Sequence, residues 1–253
     1  CRERGITVTS ALSAAMLSIT SHAIQTLGDA HEPLTDQKLR FLLSVDLRPY
    51  GSEGRADWTA GTVACAAGAV DYVVPVTKSV TASAVGTQEQ GSSLDDVWML
   101  AARCQQRSDD IINTKRWVPD SVRLFGFGMR YAQILPLVEQ DARSEATLGR
   151  GFSCGVSNMG LARFNSGATG VASAAGTDGA EGSLLGVKRM HYGTSHARNG
   201  VLCQLSCMSV AAPGASGAPF FGTLQFTHPL VSKQEAADMR ARLEGLVEAM
   251  SCD

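Results

Sequence analysis

Two alternating runs constrain this chain most. In Leu39 to Leu47, Phe41, Leu43 and Val45 alternate with Leu42, Ser44 and Asp46. In Val201 to Val210, Val201, Cys203, Leu205 and Cys207 share one parity. Strict alternation over eight or more residues is the signature of a strand with one face on a core. The chain must therefore build a sheet and cover one side of it. Arg48-Pro49-Tyr50-Gly51 ends the first run, because proline and glycine force a turn there.

The covering layer is also legible. From Thr7, residues Val8, Leu12, Ala15, Met16, Ile19 and Ala23 recur at spacings of three and four. They predict a helix with one apolar stripe, capped at Thr7 or Thr9 and stopped at Gly28. Ser93 and Asp96 resemble a capping box for a second helix, running to about Asn113. Ser232-Lys-Gln-Glu235 is a capping box for a closing helix with Met239, Leu243, Leu246, Val247 and Met250 on its stripe. Another helix is predicted over 120–143, interrupted near Pro136. Further strands are predicted over 62–76, with a possible bulge at Gly68, and over 154–159, 187–194 and 219–228. Residues 161–186 are dense in Gly, Ala and Ser and read as a mobile loop. The expected architecture is α+β: a mixed, largely antiparallel sheet covered by helices in one domain over 1–253.

Composition narrows the function. The 253 residues carry 22 basic and 24 acidic side chains, a formal charge of −2 that argues against a nucleic-acid binder. No apolar run approaches the ~20 residues of a membrane span. Seven cysteines, at 1, 65, 104, 154, 203, 207 and 252, are odd in number and widely scattered, with no Cys-x-x-Cys pair. That pattern fits neither a disulfide framework nor a zinc knuckle, and it points to a reduced, cytoplasmic protein. Cys1 replaces an initiating methionine and begins no signal peptide, so a processed or cut chain is expected.

Individual motifs are weak. Gly151-Phe-Ser153-Cys-Gly155 fits G-x-S-x-G, but a helix is expected before it and a strand after, the inverse of a nucleophile elbow. A serine hydrolase using Ser153 is the lesser alternative. His191 and His196 are five apart and would face opposite ways on a strand, which does not suit a shared metal. Cys203 and Cys207 lie about 13 Å apart along a strand, too far for a disulfide or one metal. Gly126-Phe-Gly128 lacks the lysine of a phosphate loop. Arg48 at a strand end, and Ser157-Asn158-Met-Gly160 as an Asx-type turn, have ordinary structural readings when taken singly.

In order, these pieces resemble a family. Cys1, Gly5, Thr7, Leu12, Ala14 and Ala15 look like the helix start of alcohol-acetyltransferase-like proteins. Val45-Asp-Leu-Arg48-Pro49 and Ser157-Asn158-x-Gly160 are similar to the two strand motifs that follow in that family. It belongs to the chloramphenicol-acetyltransferase-like superfamily, with the peptide-synthetase condensation domains. The resemblance implies a half-domain whose partner half carries the general base, the second histidine of His-His-x-x-x-Asp-Gly. No such motif occurs among the five histidines at 22, 31, 191, 196 and 228. The D-F-G-W-G element of the related plant branch is also absent.

The resemblance therefore implies the C-terminal half of an acyltransferase that moves an acyl group from acyl-CoA to a small alcohol or amine. Acyl-CoA is a co-substrate, with no covalently held cofactor. Arg48 would hold the aspartate of the missing motif. Ser157, Asn158 and Gly160 would line the substrate channel. A non-catalytic binding or assembly module of the same fold, self-associating or paired with another chain, is the alternative.

Overall fold

The computed structural model describes residues 1–27, 37–46, 67–76, 94–114, 151–163, 189–193, 200–211 and 217–252. Eight elements occur in them. They are α1 (Val8–Leu27), β1 (Gln37–Asp46), β2 (Ala67–Val76), α2 (Leu94–Thr114), β3 (Phe152–Arg163), β4 (Val201–Ala211), β5 (Phe220–Phe226) and α3 (Lys233–Cys252). The helix predicted over 120–143, the strand residues 62–66 and the cap residue Ser93 lie outside the described residues, as do Gly28, Arg48 and most of 161–186.

The strands form one mixed sheet in the order β2-β1-β3-β4-β5. The two outer ladders are antiparallel and the two inner ones, β1–β3 and β3–β4, are parallel. The expectation of a largely antiparallel sheet is corrected here. Successive strands in a sequence suggest hairpins, but β1 and β3 are separated by β2 and α2, and such crossovers permit parallel pairing. Gly68 is not a bulge either, because it pairs with Val45 in an unbroken register. The irregularity falls in β3, between Asn158 and Leu161. β3 also runs on to Arg163, so the first residues of the predicted loop are strand.

One core unites all three helices with strand residues of a single parity, among them Leu39, Phe41, Leu43, Tyr72, Val74, Cys154, Val156, Cys203, Leu205 and Cys207. The alternation read in the sequence thus marks the helix-covered face. α1 departs from its predicted single stripe, being buried on every side from Ser10 to Ser21. It packs on β3 and is flanked by α2 and α3. Its buried hydroxyls are satisfied locally: Ser13 donates to the Thr9 carbonyl and Ser18 to that of Ala14, each at 2.8 Å.

The run from Cys1 to Leu12 has a mechanical explanation. Gly5 adopts φ +65°, closing a turn in which its N–H bonds the Arg2 carbonyl. Gln105 of α2 grips this turn, accepting from the Thr7 N–H at 2.8 Å and donating to the Gly5 carbonyl. Thr7 caps α1 by accepting the Ser10 N–H. Leu12 then enters the core. At the other terminus the Ser232–Glu235 capping box forms in both directions, at 3.2 and 2.6 Å.

Candidate functional site

The parallel trio β1, β3 and β4 has its carboxyl ends on one side of the sheet. In open sheets with parallel strands, ligands favour that side. Register carries Leu43 level with Val156, so the β1 end at Val45-Asp46 lies beside the Ser157–Gly160 stretch of β3. Two motifs more than a hundred residues apart in sequence meet at one sheet end. Arg48 itself lies just past the described end of β1.

Ser157 and Asn158 point to opposite faces. Asn158 is directed toward α1, where its amide donates to Thr9 Oγ1 at 3.0 Å. Its Oδ1 accepts the Gly160 N–H at 2.9 Å, an Asx-type turn. Gly160 has φ +70°, which a side chain would strain. Asn158 and Gly160 thereby shape the strand end.

Ser157 faces the outer side of the sheet, level with Ser206 of β4, and Ser206 is level with Thr223 of β5. Ser206 is only 1% exposed and donates to Gln225 Oε1 at 2.8 Å. Residues 189–193, expected as strand, are irregular and cross this face. The reason is local: Tyr192 Oη reaches down to the Ser157 carbonyl and lies 3.2 Å from Ser157 Oγ. Gly193 fits against the Gln225 side chain, where a Cβ would come within 2.9 Å. Arg189 and His191 pack on the Phe221 ring at 5.7 and 5.4 Å.

The group formed by Ser157, Tyr192, Ser206 and Gln225 is uncharged. Burial raises the Tyr192 hydroxyl above its ordinary value, so it remains a proton donor at neutral pH. Such a set can bind a carbonyl or stabilise an oxyanion, but it cannot withdraw a proton. Tyr192, Ser206 and Gln225 were not singled out from sequence. The signal was faint: Tyr192 sits beside His191 in the segment read for metal binding, and Ser206 has the opposite parity to its cysteine neighbours.

Other sequence candidates are placed elsewhere. Ser153 is the second residue of β3, not the tip of a turn, and its Oγ accepts the Arg40 N–H at 3.2 Å. Among the described residues no hydrogen bond joins it to a histidine. His22 is partly buried in α1, and burial and nearby Arg242 lower its pKa. Cys154 and Cys203 are partners across β3–β4 and fully buried, with Cys203 Sγ 3.2 Å from Thr20 Oγ1. Burial raises both thiols, Cys203 to about 11, so both are protonated and unreactive at neutral pH. Among the described residues, no group of three or more His, Cys, Asp or Glu is placed to hold a metal, and no helix is long and apolar enough to cross a membrane.

Comparison with family models, with curated proteins and with solved structures gives no match to this chain.

Proposed function

We propose that this chain is the C-terminal half of a thioester-dependent acyltransferase of the chloramphenicol-acetyltransferase-like superfamily. It forms one wall of a channel where acyl-CoA meets a small alcohol or amine. The observation that carries this reading is the meeting of the Val45-Asp46 strand end with Ser157–Gly160 on adjacent parallel strands. Motifs that share a site in an intact enzyme should converge in space, and these do.

The chemistry follows from the side chains. A histidine of the partner half takes the acceptor proton as the oxygen or nitrogen attacks the thioester carbonyl. The carbonyl oxygen gains negative charge, and Ser157 Oγ and Tyr192 Oη supply hydrogen bonds on this wall. The C–S bond then breaks, CoA leaves as the thiol, and the acyl group stays on the acceptor. Arg48 pairs with a carboxylate of the partner half, because a buried carboxylate without a counter-ion is costly. Asn158 fixes the strand end that presents Ser157.

The rim of the site supports a covering partner. Leu161 and Phe220, both exposed, lie level on either side of Ser209, and Met159 nearby is 62% exposed. Apolar side chains grouped beside polar ones are typical of a surface that another body covers.

Release of free CoA from acetyl-CoA tests the proposal. The chain alone should give none above background, and addition of a half carrying His-His-x-x-x-Asp-Gly should produce transfer that Arg48→Ala abolishes. Enzyme-like turnover by the chain alone contradicts the division of labour. A stable homodimer in light scattering, with no activity in either arrangement, favours the assembly-module reading through the same apolar rim.

A further inference from the structure

A second feature lies away from this site, where α2 overhangs the edge strand β2. A half-enclosed groove of about 350 Å³ is lined by Val73, Val74 and Pro75 from β2, and by Arg103, Gln106, Arg107 and Asp110 from α2. The volume lies in the range that holds a small ligand. The packing that creates it is firm: Cys104 and Ser108, on the inner side of α2, are buried against Tyr72 of β2, and Ser108 Oγ donates to Tyr72 Oη at 3.3 Å. The groove walls are therefore held by the core.

Its charges are unusual. Arg103 and Arg107 are one helical turn apart on an exposed face, and like charges at that spacing destabilise a helix by a few tenths of a kcal/mol. Among the described residues neither makes an ion pair or a side-chain hydrogen bond. Elsewhere the exposed arginines find partners: Arg4 has Asp95 and Trp98, Arg40 has Asp71 and Phe152, and Arg240 has Glu244. Asp110 is the one carboxylate of the lining, so two guanidiniums and one carboxylate leave a charge of +1. The β2 wall is apolar, with Val73 50% exposed.

We propose that this groove is a binding site for a small monocarboxylate with an apolar body. The guanidiniums of Arg103 and Arg107 hold the carboxylate, for which their fork of donors is suited. The hydrocarbon part lies along Val73, Val74 and Pro75. The net charge of +1 matches a monoanion better than a phosphate dianion, which Asp110 would oppose. This site is separate from the thioester reading, and either can fail without the other.

Amide chemical-shift mapping of the full chain with hexanoate, hexanol and inorganic phosphate tests it. Hexanoate should shift residues 73–75 and 103–110 saturably, and R103Q/R107Q together should weaken binding at least tenfold. Both arginines are exposed and unpaired in the fold, so the double variant should keep the native spectrum elsewhere. Hexanol binding as tightly as hexanoate would show an apolar groove only. Phosphate binding as tightly would show a charge trap only. Either result, or unchanged hexanoate affinity in the double variant, overturns the proposal.

Discussion

The Tyr192 hydroxyl donates to the main-chain carbonyl of Ser157, tying an irregular crossing segment to the middle of the outer sheet face. This bond places a phenol over the carbonyl of an inner strand, beside a serine hydroxyl and a second carbonyl, that of Cys207 at 3.4 Å. It determines where 189–193 runs, and it puts an uncharged donor at the end of the sheet where the β1 and β3 motifs meet.

Tyr192→Phe removes that hydroxyl and leaves the ring. A partly buried hydrogen bond contributes about 1 kcal/mol, so the melting temperature should fall by roughly 2–4 °C for a chain of this size. Amide exchange in 189–193 should accelerate while α1 is unaffected. Unchanged exchange in that segment would show that the hydroxyl does not hold it.

Glycine substitutions should separate three mechanisms. At Gly155 a Cβ would lie 2.9 Å from the Leu42 carbonyl oxygen and 3.2 Å from Val201, so Gly155→Ala should destabilise by about 1–3 kcal/mol through overpacking. At Gly5 the space is open but φ is +65°, so Gly5→Ala should cost only about 1–2 kcal/mol of backbone strain. Gly245 has open space and lies within α3, so Gly245→Ala should stabilise by up to about 1 kcal/mol. Denaturant midpoints at constant slope measure all three.

Alkaline pH should destabilise the fold. Burial raises the thiols of Cys104 and Cys207 to about 12 and that of Cys203 to about 11, from an ordinary value of 9.0. Below pH 9 these thiols are protonated in both folded and unfolded chains, and stability is intact. Above it the unfolded chain releases protons that the fold retains, so stability falls as pH rises toward 11 to 12. Cys104→Ala/Cys203→Ala should flatten this dependence, measured as the urea midpoint from about pH 8 to about pH 10. His22 acts at the opposite end. Its lowered pKa means that stability present above 6.5 is lost as pH falls below it.

The capping box of α3 should be separable into its two halves. Ser232→Ala removes the acceptor of the Glu235 N–H and should cost about 1 kcal/mol. It should also return Glu235 toward its ordinary pKa, because the Ser232 side chain is the first cause of its lowering, ahead of the Ser232 N–H. Carboxyl-detected NMR titration reads that change directly.

Local rules made much of this fold legible. Alternation in β1 and β4 named the core-facing residues, and Thr7, Ser232 and Glu235 marked helix ends, because each signal depends on neighbours within a few residues. Long-range pairing was less legible. Nothing in Leu39 to Leu47 states that β3 will lie beside it in parallel, and the Gly68 register was misjudged because a glycine alone does not specify a bulge. α1 was read with one apolar stripe, since its serines look solvent-facing until α2 and α3 close over them. At the candidate site Ser157 and Asn158 were read together, yet adjacent strand residues face opposite sides. Tyr192 escaped notice because its partner is a main-chain carbonyl, which no side-chain pattern reveals.

The central claim is that the joined ends of β1 and β3 meet an acyl-CoA. Titrating the chain with a non-reactive thioether analogue of acetyl-CoA and mapping amide shifts tests it most directly. The expected result is saturable shifts at Val45, Asp46, Ser157–Gly160 and Tyr192, weakened by Tyr192→Phe. No shift there at millimolar analogue, or shifts confined to other surfaces, would contradict it.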